Sequence, residues 1–196
     1  MSKSDANSAK KERNKTIRWV VTIFFVTILV SGTISFTSDV LMANSSMLVA
    51  FIILFAIILI GIIFDVIGVA VTSADEKPFH SMAARKVPGA QESIRLLRNA
   101  ERVSSICNDV VGDICGVVSG SASATIAAQI LRNFEFNSES VISLVMSALV
   151  AGLTVGGKAI GKTVAINSCT EIVSGVGKLL YFIHHVPDFL KKNKNS

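Results

Sequence analysis

Lysine and arginine fall along this chain in blocks that alternate with long apolar runs, and that alternation limits what it can fold into. Six precede the first run (Lys3, Lys10, Lys11, Arg13, Lys15, Arg18) and none lies between the first and the second. Six lie between the second and third (Lys77, Arg85, Lys86, Arg95, Arg98, Arg102), and one, Arg132, between the third and fourth. The remaining six (Lys158, Lys162, Lys178, Lys191, Lys192, Lys194) follow. The positive-inside rule produces this pattern for four membrane-spanning helices with both termini cytoplasmic. It also accounts for the formal net charge of +5 without a nucleic-acid partner. Only 17% of residues are charged, against about 25% in soluble domains. The deficit sits in the apolar runs, so the expectation is an all-α, polytopic protein of the cell membrane with a single membrane domain.

The runs predict spans at about 17–36, 47–72, 103–130 and 141–165. Residues 1–16 are polar and basic and read as a disordered cytoplasmic tail. Residues 37–46 read as a short outer loop, with a glycosylation sequon at Asn44 close against the membrane. Two juxtamembrane stretches read as amphipathic interface helices. One, at about 88–102, follows the Pro88-Gly89 break and sets Ile94, Leu97 and Ala100 against Arg95, Arg98 and Arg102. The other, at about 170–190, carries Ile172, Val176, Leu179, Leu180, Ile183 and Leu190 on one side. Residues 191–196 form a basic tail. Together, 17–190 make the transmembrane domain.

The third run, Val103 to Ile130, is unlike the others. It carries Asn108, Asp109 and Asp113 at membrane depth, where a carboxylate costs at least ~2.5–3.5 kcal/mol and marks a functional site by default. It also has small residues at every fourth position (Gly112, Gly116, Gly120, Ala124, Ala128), a seam along which another helix can approach closely. A homodimer through Gly112, Gly116 and Gly120 is expected. Asp65 lies eight residues from the inner end of the second span, roughly 12 Å. Asp109 lies six residues from the same surface, roughly 9 Å. Asp113 is one turn deeper, and Thr154 of the fourth span sits at a comparable level. Carboxylate, amide and hydroxyl oxygens suit a hard divalent cation such as Mg²⁺. Asp65, Asn108, Asp109 and Asp113 are therefore candidate ligands, with Ser104, Ser105 and Thr154 behind them. The bland alternative pairs the carboxylates with Lys158 or Lys162.

Four stretches resemble the transmembrane domain of the CNNM/CorB/CorC family of magnesium transporters. Phe64–Ala74, FDVIGVAVTSA, looks like the end of the family's first helix. Arg85–Arg102 resembles its cytoplasmic connector, and Ile106-Cys107-Asn108 its Ile-Gly-Asn entrance to the next helix. Gly161-Lys162-Thr163-Val164-Ala165 resembles its Pro-Lys-Thr-Leu-Ala segment. The likeness covers about residues 47–190. It implies a dimeric domain of three spanning helices and juxtamembrane helices around a divalent-cation site, with Asn108 as the ligand that carries over. The family's first-helix Glu falls at Gly68, its motif Ser at Asp65 and its Pro at Gly161, and its Glu before Pro-Lys falls near Gly157 or Lys158. The first span is extra. The family's regulatory domains are not expected after residue 196, so the resemblance leaves room for a separate regulatory partner.

Other signals are weaker. Gly156–Thr163, GGKAIGKT, fits the phosphate-loop pattern but lacks the strand and soluble sheet that such a loop needs. Asp65 and Asp113 superficially resemble an intramembrane aspartyl protease pair, without the remainder of that motif. Cys107, Cys115 and Cys169 make no disulfide framework. His80, His184 and His185 have no metal-binding spacing. No enzyme is expected. The reading is a membrane protein that binds a divalent cation, with its transport as the extension. The rivals are a non-transporting scaffold or regulatory subunit and, more remotely, the protease.

Overall fold

The computed structural model describes the backbone of residues 3–43, 45–133 and 139–192, and the side chains of residues 16–42, 45–133 and 140–184. The sequon's Asn44, residues 134–138 of the expected outer loop and the tail residues 193–196 lie outside the described residues. So do the side chains of His185 and Leu190.

Among the described residues the chain is all-α, with no strand. Four helical stretches are long and apolar enough to cross a bilayer. They are Thr16–Met42 within α1 (Lys3–Ala43), α2 (Met47–Ser73), the continuous helix Ala100–Asn133, and Ser140–Asn167 within α7 (Glu139–Asn167). None contains proline. Each can therefore close its backbone hydrogen bonds within itself, as a hydrocarbon solvent demands. Their outward faces carry apolar side chains such as Leu29 at 70% and Phe36 at 73% exposure. So much exposed apolar surface is not carried by a water-soluble monomer, and a bilayer covers it. The chain is a membrane protein.

The boundaries differ from the sequence reading in instructive ways. Residues 3–16 continue α1 rather than forming a loose tail, and α1 also runs on through 37–43 to Ala43. That extension buries Ser38 and Met42 against the bundle. The third span is longer than 103–130. It opens with α5 (Ala100–Ser105), passes through a π-helical segment, Ile106–Gly112, and continues as α6 (Asp113–Asn133).

Helix α2 is the centre, packing against α6, α7, α5 and the π-helical segment. Its buried positions, Ala50, Leu54, Ile58, Gly61, Asp65 and Gly68, recur every three or four residues and form one seam. Glycine brings the neighbours close. A Cβ on Gly61 would stand 2.9 Å from the Cβ of Cys115, and one on Gly161 would stand 2.7 Å from Val66 Cγ2. Ile62 fills the corresponding space at Gly157. Gly157 and Gly161 of the phosphate-loop-like string are thus the groove into which Ile62 and Val66 pack.

Two apolar cores result. One, toward the N-terminal end of α2, joins Met42, Leu54, Ile58, Ile126 and Val150, and the other, toward its C-terminal end, joins Ala70, Val71, Phe79, Ala165 and Val173. This second core is capped by α3 (Lys77–Ala84), α4 (Ala90–Arg98) and α8 (Cys169–Lys192). The helix expected over 88–102 is split at Asn99, where φ is −115°. Its second part belongs to the third span. Lys86 (φ 56°) and Gly89 (φ 85°) make the left-handed turn into α4.

Candidate functional site

The seam between the two cores is where α2, the π-helical segment and α7 meet. Asp65 lies there, 5% exposed. Its Oδ1 is 3.5 Å from the Nζ of Lys158 on α7. Its Oδ2 is buried with no hydrogen-bond partner among the described residues. Three residues further along the same face, Gly68 leaves the space that the amide of Asn108 fills. Asn108 donates through Nδ2 to Ser104 Oγ at 3.2 Å, while its Oδ1 is buried without a partner.

Lys158 closes the arrangement from the other side. A Cβ on Gly112 would stand 3.2 Å from its Nζ, so the bare backbone of Gly112 is the floor on which the ammonium rests. Gly112 follows Asn108 by one turn. Asp65, Asn108 and Lys158 thus come from three elements, with Gly68 and Gly112 as the two places where an added side chain would collide with Asn108 or crowd Lys158.

The other candidates lie elsewhere. Asp109 is exposed and accepts a hydrogen bond from Ser105 Oγ at 2.8 Å. Asp113 is also exposed. Asp109 and Asp113, four residues apart, share one helix face, turned roughly 100° from the side that Asn108 presents to α2. Thr154 donates to Val150 O at 2.8 Å within its own helix. Residue spacing alone does not say which way each of these groups faces. The structure sets Asn108, held by Ser104, against Gly68, one turn along α2 from Asp65; Ser105 is bonded to the exposed Asp109, Asp113 is exposed, and Thr154 bonds within its own helix.

Among the described residues, no three His, Cys, Asp or Glu side chains gather into a metal-holding group. The donor set is one carboxylate, one amide oxygen and a hydroxyl. That suits an ion which keeps part of its water, as Mg²⁺ does when one or two carboxylates bind it. The small-residue stripe also divides. Gly112 is buried under Lys158, while Gly116 and Gly120 have open space where a side chain would stand.

A second polar cluster was not foreseen. Asp39, near the C-terminal end of α1, accepts from Ser121 Oγ at 3.2 Å and from Thr125 Oγ1 at 3.4 Å. Gln129 Nε2 donates to Met42 O at 2.7 Å. Ser121, Thr125 and Gln129 recur every fourth residue on α6, a polar stripe that the sequence does display.

The chain matches no protein-family model, no curated protein and no solved structure.

Proposed function

We propose that this protein binds a divalent cation between its spanning helices, at Asp65 and Asn108, and that movement of the ion across the membrane is its activity. One observation carries the reading. Asp65 Oδ2 and Asn108 Oδ1 are both buried and unpartnered, and they flank the same seam. Leaving a buried acceptor unsatisfied costs ~1–3 kcal/mol, more when it is charged. A cation answers both at once. The oxygen-only donors favour a hard ion of the Mg²⁺ type. Ser104, which already holds Asn108, steadies the amide.

The resemblance to the CNNM/CorB/CorC transmembrane domain supports the same proposal, with Asp65 one turn from the position where that family has its Glu. It also supports a homodimer, for which the open Gly116–Gly120 face is the contact, with both termini cytoplasmic as the basic residues dictate. The rival is a scaffold or regulatory subunit that moves nothing. The specific observation in its favour is the Asp65–Lys158 pair, which already supplies one positive charge.

The test is thermal unfolding of the purified chain in detergent during titration with Mg²⁺ or Mn²⁺. A bound ion raises stability as RT ln(1 + [L]/Kd), about 2.7 kcal/mol at a hundredfold excess over Kd. The midpoint should rise in the wild type and not in Asp65→Asn or Asn108→Ala. A midpoint indifferent to every divalent ion would leave the scaffold reading.

A further inference from the structure

We infer that Lys158 is a tethered competitor for the ion: its ammonium occupies Asp65 when the site holds no metal, and a divalent cation must expel it to bind. The inference rests on the cation-site reading above and adds to it how the site is regulated and which ions it admits. The pairing is loose. At 3.5 Å, Lys158 Nζ lies beyond the roughly 2.7–2.9 Å of a tight charge-assisted hydrogen bond. It engages Oδ1 and leaves Oδ2 open. The two partners are also unequally enclosed. The side chain of Asp65 is 7% exposed and that of Lys158 is 23%. The carboxylate is therefore fixed in the seam, while the lysine enters from its edge on a flexible four-carbon stem that can withdraw.

Gly112 makes the arrangement possible. Any side chain there would crowd Nζ, as the 3.2 Å approach of a built Cβ shows. No other charged group does the same work. Lys162, one turn along α7, is exposed, and Asp109 and Asp113 are exposed as well. A site already holding one positive charge gains nothing by exchanging it for another monovalent ion. It gains when the incoming ion carries two. Lys158 thus acts as a charge filter that favours divalent over monovalent cations.

The experiment titrates Mg²⁺, Mn²⁺ and Na⁺ against the thermal midpoint of the full chain in detergent, for the wild type and for K158M, K158R and D65N. In K158M the ion-free midpoint should fall, and the half-saturating Mn²⁺ concentration should drop at least about tenfold, a modest change for removing a like charge a few Å away. Na⁺, inert on the wild type, should now raise the midpoint. K158R, which keeps the charge, should behave as the wild type. Unchanged or weakened Mn²⁺ binding in K158M, with the wild-type response still lost in D65N, would overturn the inference and leave the site standing. No response in the wild type or in K158M would overturn the site itself.

A measurement on the unaltered chain guards against a variant that fails to fold. Acylation of Lys158 by an amine-reactive reagent, read by peptide mass spectrometry, should speed up when Mn²⁺ is added. An unchanged or slower rate would contradict release of the lysine.

Discussion

The side-chain amide of Asn108 occupies the space that a side chain at Gly68 would need. A single methyl group there would strike Asn108 Oδ1. Asn108 is short and half-enclosed, so it has little freedom to retreat. Gly68→Ala should cost ~1–3 kcal/mol, as overpacking of a well-filled interior does. Unfolding in detergent measures it. Truncating the amide at the same time, in Gly68→Ala with Asn108→Ala, should recover most of the loss. If the double variant is as unstable as the sum of the singles, the two residues do not share that space.

Asp65 and Lys158 should show the same kind of coupling through charge. Removing one partner of a buried ion pair costs ~3–5 kcal/mol, because the other charge is left without compensation. Lys158 is partly exposed, so Lys158→Met should fall at the low end, about 3 kcal/mol, in the absence of divalent ions. Asp65→Asn with Lys158→Met removes both charges and should be milder than Lys158→Met alone. A double-mutant cycle with no coupling would mean that the pair does not form in the membrane-embedded protein.

The four spans were legible because a bilayer leaves few alternatives to long apolar helices. The polar residues of the spans were legible in the sequence, and the way each one faces was not. Helix α2 is apolar all round from Met47 to Phe64, so no periodic contrast marks Leu54, Ile58 and Gly61 as its inward seam. Asn108, Asp109 and Asp113 all read as intramembrane polar groups. Which of them faces α2 depends on the π-helical turn Ile106–Gly112, whose residues include no proline and no glycine before Gly112 itself. The regular periodicity used to read a helix does not describe such a turn. The end of α1 was missed for another reason. Thr37, Ser38 and Asp39 resemble a loop in composition, but Thr37 donates to Thr33 O within α1, Ser38 is buried, and Asp39 is bonded by Ser121 and Thr125 of α6.

The orientation of the spans has its own test. In a variant with Cys107, Cys115 and Cys169 replaced by alanine, Ser46→Cys places one exposed thiol just before α2, and Gln91→Cys places one on α4, which packs against the other end of α2. A membrane-impermeant maleimide should label Ser46→Cys in intact cells and Gln91→Cys only after permeabilisation. The reverse pattern would invert the proposed topology, which rests on the distribution of basic residues.

Two glycines of α8, Gly175 and Gly177, should respond to alanine in opposite directions. Gly175 is exposed and nothing stands where its Cβ would be. Gly175→Ala should therefore stabilise the helix by ~0.5–1 kcal/mol. Gly177 is buried against α4, where a Cβ would stand 2.6 Å from Gly89 O and collide with Ser93 Oγ. Ser93 is itself committed to Gly89 O and Val173 O, at 3.0 and 3.1 Å. Backbone cannot yield as a side-chain tip can, so Gly177→Ala should lose ~1–3 kcal/mol. Equal effects would mean that α4 and α8 do not pack through this seam.

Asp39 should decide how α1 sits on the bundle. The outward face of α1 is apolar, and lipid gives apolar helices no strong reason to associate. Its polar bonds to α6 supply one: Asp39 with Ser121 and Thr125, and Gln129 with Met42 O. Interhelical bonds of this kind are worth ~0.6 and at most ~1.7 kcal/mol each. Asp39→Ala should therefore loosen α1 without unfolding the other helices. The loosening can be read at its far end, because Trp19, the only tryptophan in the chain, lies 5.7 Å from the guanidinium of Arg102. Asp39→Ala should shift Trp19 emission in the same sense as Arg102→Ala, which removes that contact directly. If Trp19 is unmoved in Asp39→Ala and shifted in Arg102→Ala, the Trp19–Arg102 contact holds α1 on its own and the Asp39 cluster does not steer it.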